Sequence, residues 1–130
     1  MPSNRFPLTL LEGAFAVCRL DPGDEAPGLA GSGPLAAVVR TPEELCVVCA
    51  EEDAPQEARV EAGWRAFKLE GPVPFSAVGV ISSMTAPLAE SGIGVFVLST
   101  FDTDYLLVKE AQLARACKAL ANAGYEVTAP

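Results

Sequence analysis

The second half of the chain alternates between the hydrophobic spacing of strands and that of helices. The predicted elements are, in order, a strand at 64–69, a helix through 80–88, a strand at 93–99, a strand at 105–108, a helix at 110–123 and a strand at 125–127. This order is typical of an antiparallel four-stranded sheet with two helices on one face, the ferredoxin-like arrangement. The pattern therefore predicts an α+β fold.

Local signals mark the two ends of the first predicted helix. Ser76 is predicted to be its N-cap, and Gly92 is predicted to end it. Pro87 lies inside the segment, so we expect a kink or two short helices. The next segment, Ile93–Ser99, is nearly all apolar, which predicts a strand buried on both faces.

The first half predicts strands and loops without a long helix. Apolar runs predict strands within 10–20, 35–39 and 45–50, and many Gly and Pro residues predict a loop at 21–34. The sequence Thr41-Pro42-Glu43-Glu44 forms a capping box, but only a single turn fits before the next strand. The acidic segment 51–63 is predicted to be a loop or a linker.

An internal repeat relates the two halves. Shifting the chain by 59 positions places residues 35–51 on 94–110 without a gap, with Thr41 on Thr100 and Glu51 on Glu110. Each copy contains an apolar strand, an acidic turn that begins with Thr, and a second apolar strand. Chance similarity between two β-hairpins is the alternative, but duplication of one small module accounts better for the match.

Charge and composition narrow the possible functions. The chain has 130 residues, a net charge of −8 and no histidine. An acidic chain without a basic cluster repels phosphate backbones, so we expect no nucleic-acid partner. The lack of histidine removes the commonest general base and the commonest metal ligand. The chain has no apolar run long enough to cross a membrane and no secretory signal, so we expect a cytoplasmic location.

The four cysteines are predicted to be small core residues rather than a redox or metal site. Cys46 and Cys49 form a C-x-x-C motif, but they lie in an apolar run that predicts a strand. Positions three apart in a strand point to opposite faces, which does not suit a disulfide or a chelate. Cys18 and Cys117 stand alone in the sequence. We therefore expect no metal and no cofactor.

Particular motifs in both hairpins resemble the ACT-domain family, and within it the small bacterial tandem proteins related to the cytosolic arginine sensor and to aspartokinase regulatory domains. The motifs are Arg40–Leu45 in the first half and Val78–Val80, Pro87–Ile93 and Leu98–Val108 in the second. The resemblance implies two ferredoxin-like βαββαβ subdomains, residues 1–60 (incomplete) and 61–130. It also implies a non-catalytic regulatory module that binds a free amino acid at an ACT–ACT interface, and a homodimer.

Two other classes of function stay open. The first is an interaction module that pairs subunits and modulates a partner without a ligand. The second is an enzyme that uses Cys46, Cys49 or the pair Asp102 and Asp104, although no base, metal set or phosphate loop accompanies these residues.

An amino-acid site needs N–H donors for the ligand carboxylate and an acceptor for its ammonium group. A helix start supplies such donors, and a carboxylate supplies such an acceptor. The resemblance assigns binding to Gly79, Val80, Thr100, Phe101 and Asp104, and the chemistry of the helix start and the turn adds Ser76, Ser99 and Asp102. Simpler roles compete for three of them, since Ser76 can be only a cap, Gly79 only a packing residue and Asp102 only a solvated turn residue. The acidic rim, Asp102 with Asp104, favours a basic or small polar ligand.

Overall fold

The structure, a computed structural model of the chain, describes residues 6–29 and 31–129. They form two compact units, the β unit (13–64) and the α/β unit (6–12 with 65–129). The strands are β1 (Leu8–Leu10), β2 (Phe15–Leu20), β3 (Ala37–Arg40), β4 (Leu45–Ala50), β5 (Arg59–Leu69), β6 (Phe96–Ser99), β7 (Asp104–Lys109) and β8 (Val127–Thr128). The helices are α1 (Val80–Glu90) and α2 (Leu113–Asn122), and short 3₁₀ turns lie at Glu51–Asp53 and Glu110–Gln112.

The α/β unit has the predicted order of strand, helix, strand, strand, helix, strand, so the α+β fold class is confirmed. Its strands lie in the order β6, β7, β5, β1, β8. Both helices share one core with this sheet. Its fully buried members include Phe67, Leu106, Met84, Leu88 and Leu120.

β1 is an addition to the four-stranded sheet that the sequence predicts. It pairs antiparallel with β5 and parallel with β8, and its Leu8 is fully buried in the core of the α/β unit. The sequence predicts one strand within residues 10–20 and does not predict β1 as a separate strand. The division into 1–60 and 61–130 stays a prediction, and it counts β1 with the first subdomain although its partners belong to the α/β unit.

Two local predictions around α1 and β6 are wrong, and a third is wrong in part. α1 begins at Val80 rather than after Ser76, and its N-cap is Gly79. It is one helix that includes Pro87 rather than two short helices, because its buried stripe continues to Leu88 and its last turn is closed by backbone bonds to the glycine turn that follows, whereas a kink at Pro87 stays a prediction. β6 is half-buried rather than buried on both faces, since it pairs only with β7 among the described residues.

The β unit is an antiparallel sheet in the order β3, β4, β2, β5. Side chains from one face of β2 and β4 form its core, with Leu29, Ala54 and Ala58 packed against them. Its described residues contain no α-helix, as the sequence predicts for the incomplete copy. The predicted loop at 51–63 is wrong in part, because β5 begins at Arg59.

The internal repeat is confirmed in the pairing of the two hairpins. Ala37, Val38, Val39 and Arg40 pair with Val48, Val47, Cys46 and Leu45, and adding 59 to each number gives the four pairs of β6 with β7. The 3₁₀ turns at 51–53 and 110–112 are also 59 apart. Equal register at every pair is what a duplicated module predicts.

The turn in each copy is closed by the same hydrogen bonds. The N–H of Thr41 donates to the Glu44 carbonyl at 2.9 Å, and the N–H of Thr100 donates to the Thr103 carbonyl at 2.8 Å. In both turns the Thr hydroxyl donates to that same carbonyl and accepts the N–H three residues along the chain. The threonine therefore shapes the turn in both copies.

Two cysteines have the predicted place in a core. Cys18 and Cys49 are buried in the core of the β unit, whereas Cys46 and Cys117 are half-buried, and all four are free thiols. Burial raises the pKa of each thiol, and that of Cys49 rises to about 11. Among the described residues, no three His, Cys, Asp or Glu side chains are grouped so that they could hold a metal ion. None of the helices described has the length and apolar character needed to cross a bilayer.

We expect Cys49 of the folded protein to react very slowly with iodoacetamide. At pH 8 a thiol with a pKa of about 11 is roughly one part in a thousand thiolate, against roughly a quarter for an ordinary cysteine. Peptide mass spectrometry after timed alkylation should show Cys49 modified at least about a hundredfold faster in urea than in buffer. Half-buried Cys46 provides the internal comparison and should react before Cys49. Equal rates for Cys49 in urea and in buffer would contradict the burial described here.

Candidate functional site

A cavity of the α/β unit lies between the start of α1 and the turn that joins β6 to β7. It encloses about 610 Å³ and opens to solvent. Six of the eight residues predicted as a site line it: Gly79, Val80, Ser99, Thr100, Phe101 and Asp104. Ser76 and Asp102 are exposed and do not line it, so a ligand role for these two stays only a prediction from the sequence.

Gly79 determines how α1 begins. Its φ is +79°, a left-handed conformation that disfavours every residue with a side chain, and it offers no side-chain cap. The first helical hydrogen bond runs from the N–H of Ser83 to the Gly79 carbonyl at 3.0 Å. The N–H groups of Val80 and Ser82 therefore precede the helical ladder and have no intrahelical acceptor. They give the cavity a wall with partial positive charge.

Asp104 lines the same cavity as this helix start. It is the first residue of β7, pairs with Ser99 in the hairpin and is half-buried. The Ser99 hydroxyl donates to Asp104 Oδ1 at 2.6 Å, which orients the carboxylate. Asp104 Oδ2 accepts no hydrogen bond from the residues that the structure describes. The carboxylate is thus held in place with one oxygen available to a ligand.

Thr100 lies on the cavity wall, but its hydroxyl is used by the turn. It donates to the Thr103 carbonyl and accepts the Thr103 N–H, as Thr41 does at the same position of the β unit. Ser99 and Asp104 have no such counterparts, because Arg40 and Leu45 take their places 59 residues earlier. The two copies therefore share the turn and differ in the polar pair that faces the cavity.

Two aromatic rings stand at the mouth of the cavity. The ring centroids of Phe75 and Phe101 are 4.9 Å apart with an angle of 85° between the planes, an edge-to-face contact. Both side chains remain about three-quarters exposed, and Val78, three residues after Phe75 in the chain, is 84% exposed. Sequence analysis noticed Phe101 and missed Phe75, which lies in a Pro-rich loop where no hydrophobic period marks it.

Two further lining residues were within reach of sequence analysis. Ile81 and Thr85 line the cavity and lie four positions apart, so they follow one another on one side of α1. The helical spacing within 80–88 predicts a core face, and Ile81 and Thr85 follow the same spacing on the neighbouring face. The signal for these two residues was therefore present in the sequence.

The polar groups of the cavity wall are mainly acceptors. Every hydroxyl on the wall donates its hydrogen to an oxygen of the protein: those of Ser82, Thr85, Ser99, Thr100 and Thr103. Asp104 is the only lining residue with a formal charge. Away from the helix start, a ligand therefore meets lone pairs and apolar surface rather than donors.

Comparisons with known proteins assign the two parts of the chain to family models. A model described as an ACT domain matches residues 59–122, and a model of an N-terminal domain matches residues 13–57. A crystal structure of a protein from Agrobacterium tumefaciens is 38% identical, with a TM-score of 0.89 over 98% of this chain and 96% of that chain. The ligand-free regulatory subunit of aspartate kinase from Thermus thermophilus has a TM-score of 0.62 at 15% identity, covering 92% of this chain and 99% of that chain, and so shares the fold.

The curated relatives are longer proteins. The cytosolic arginine sensor for mTORC1 subunit 1 of Bos taurus is 33% identical over 96 residues, which are 65% of this chain and 29% of that protein. A human relative, putative protein CASTOR3P, is 29% identical over 90 residues, which are 59% of this chain and 55% of that protein. The match thus spans about half or less of each relative.

We expect Gly79→Ala to destabilise the α/β unit by about 1 kcal/mol, because alanine in the left-handed conformation is strained. A Cβ at Gly79 would meet only Ser82 Oγ at 3.7 Å, so the cost comes from the backbone and not from a clash. Urea unfolding measures the loss. Gly94→Ala is the matched control, since a Cβ there has open space and no unusual φ. Equal midpoints for Gly79→Ala and Gly94→Ala would show that residue 79 does not need glycine.

Proposed function

The chain belongs to the ACT-domain family through residues 59–122, and on this basis we propose that it is a non-catalytic regulatory module that binds a free amino acid. The proposed site is the cavity between the start of α1 and the β6–β7 turn. In the proposed assembly, a second copy of the chain brings another ACT unit to the mouth of this cavity. Four free cysteines suit a reducing compartment, so we propose the cytoplasm as its location.

One observation carries this proposal: groups that suit both ends of an amino acid face each other across one cavity. The N–H groups before the helical ladder, at Val80 and Ser82, suit an α-carboxylate. Asp104, oriented by Ser99, suits an α-ammonium group. The volume of about 610 Å³ leaves room for a side chain beyond these two groups.

The hydrogen-bond character of the wall favours a ligand side chain that carries donors. An acidic side chain would bring acceptors to hydroxyls that have already donated their hydrogens, and it would meet the charge of Asp104. The acidic rim expected from the sequence is reduced to one carboxylate, because Asp102 does not line the cavity. The name of the bovine relative refers to arginine, a side chain of five donors, and arginine is therefore the first ligand to test.

The same wall supports a non-catalytic role. Among the lining residues only Asp104 has an ionisable carboxyl, amine, thiol or imidazole group, so the site lacks a second group to pair with it as acid and base. The relatives' pathways are not transferred to this chain, because it matches only part of their length.

We expect Asp104→Asn to weaken binding by about one to two orders of magnitude, because it removes the charge opposite the ligand ammonium and keeps the size of the side chain. Isothermal titration calorimetry with arginine, after a thermal-shift screen of the twenty amino acids, measures the loss. Asp21→Asn removes an equal charge from an exposed position of the β unit and should bind as the wild type does. Unchanged affinity in a folded Asp104→Asn protein would contradict the proposed site.

The two exposed aromatic side chains on the cavity wall favour a second candidate, an interaction module that needs no ligand. Phe75 and Phe101 form a patch that water solvates poorly. This candidate takes precedence if no amino acid stabilises the wild-type protein in the thermal-shift screen.

Both candidates predict a homodimer that depends on this patch. Sedimentation equilibrium should show a dimer at tens of micromolar, and the double variant Phe75→Ser with Phe101→Ser should shift it towards monomer by at least about tenfold in Kd. Val38→Ser, which removes another exposed hydrophobic side chain, is the control. A dimer lost in Val38→Ser and retained in the double variant would place the interface elsewhere.

A further inference from the structure

We propose that Thr103 and Gly71 form a clasp that holds the two walls of the cavity at a fixed separation, and that both are positioning residues for the site. The clasp joins the loop after β5, residues 70–73, to the β6–β7 turn. Neither residue was a candidate from the sequence. The binding part of this inference rests on the proposed function, whereas the structural part does not.

Two hydrogen bonds close the clasp. The Thr103 hydroxyl donates to the carbonyl of Leu69, the last residue of β5, at 2.5 Å. The N–H of Val73 donates to the Asp102 carbonyl at 2.7 Å. Thr103 is only 5% exposed, so its hydroxyl makes this bond away from water, where a lost partner is costly.

Gly71 allows the loop and the turn to approach this closely. A Cβ at position 71 would lie 2.7 Å from the Val73 nitrogen, 3.0 Å from the Asp102 oxygen and 3.4 Å from Thr103 Cβ. The first two are backbone atoms, which cannot move aside as the end of a side chain can. Any larger residue would therefore push the loop away from the turn and stretch the bond between Val73 and Asp102.

The β unit shows that the turn alone does not require this hydroxyl. Glu44 occupies the position of Thr103 in the first copy, and its N–H and carbonyl make the same bonds to the turn threonine. The backbone of residue 103 is thus sufficient to close the turn. The buried hydroxyl serves a different contact, the one to the end of β5, and it occurs in the copy that has the cavity.

The clasp lies at the base of the two segments that form the cavity walls. On one side the loop continues through Val73, Phe75 and Ala77, which line the cavity, to the start of α1. On the other side the turn presents Phe101 and Asp104. Because the clasp ties the base of both segments, it sets the distance between the helix start and the Asp104 carboxylate, on which a ligand that contacts both depends.

Hydrogen exchange tests the structural part without any ligand. Thr103→Val removes the hydroxyl at nearly constant volume and should raise exchange at the Val73 amide about tenfold, whereas Thr103→Ser should restore protection. Gly71→Ala should raise it as well. Ser32→Ala is the matched control, because it removes a similarly buried aliphatic hydroxyl from the β unit and should leave Val73 protected. Unchanged exchange at Val73 in both Thr103→Val and Gly71→Ala would overturn the clasp.

Calorimetry with arginine, or with the amino acid found by the screen, tests the binding part. Thr103→Val should weaken binding about tenfold, with Thr103→Ser and Ser32→Ala close to wild type. If the effect were only a general loss of stability, the thermal midpoints of Thr103→Val and Ser32→Ala would both fall, and the two variants would bind the ligand with equal affinity. If Thr103→Val binds the ligand with the affinity of the wild-type protein, the positioning role is wrong. If the wild-type protein binds no amino acid, the proposed function is wrong, and the hydrogen-exchange result alone decides whether the clasp exists.

Discussion

Burial of one face of α1 is the interaction on which the candidate site depends. Val80, Met84 and Leu88 follow one another along this face and pack into the core shared with β5, β7 and α2. Hydrophobic burial fixes the axis and the rotation of the helix, and Val80 fixes its first turn. As a result, Ile81 and Thr85, on the neighbouring face of the helix, line the cavity. The core thereby places a helix start, with its free N–H groups, opposite the β6–β7 turn.

Divergence between the two copies explains why the candidate site lies in the second half of the chain. The hairpins of the two copies share register and turn bonds, so this part of the module is set by local chemistry that both sequences retain. The flanking segments differ. Only five residues separate Asp53 from Arg59, too few for a counterpart of α2, and the segment before β3 is rich in Pro and Gly. Among its described residues the first copy has no α-helix whose start could lie opposite its turn, and Leu45 occupies the position that Asp104 has in the second copy.

The cavity wall combines one oriented carboxylate with hydroxyl groups whose hydrogens are already bonded to oxygens of the protein. Ser99 holds the Asp104 carboxylate, and the remaining hydroxyls complete the turn, the helix and the clasp. Each hydroxyl therefore has a structural function and at the same time presents a lone pair to the cavity. In the proposed function, selectivity against acceptor-bearing ligands follows from the bonds that stabilise the fold. The aromatic pair at the mouth adds apolar surface that a ligand or a second copy would remove from water.

By itself the sequence determined the order of elements in the second half, the offset of 59, and six of the residues that line the cavity, because periodicity, turn chemistry and a helix start are local properties. It did not predict the start of α1 correctly, because a serine and a left-handed glycine can each precede a helix. Only the backbone conformation shows that Gly79 is the N-cap. It missed β1, whose three residues become a strand only when β5 and β8 provide partners. Phe75, Thr103 and Gly71 also escaped it, because ring contact, buried hydroxyl bonding and close backbone approach join residues about 25 to 35 positions apart. Contacts of that range are decided by the packing of the whole unit, which no local pattern encodes.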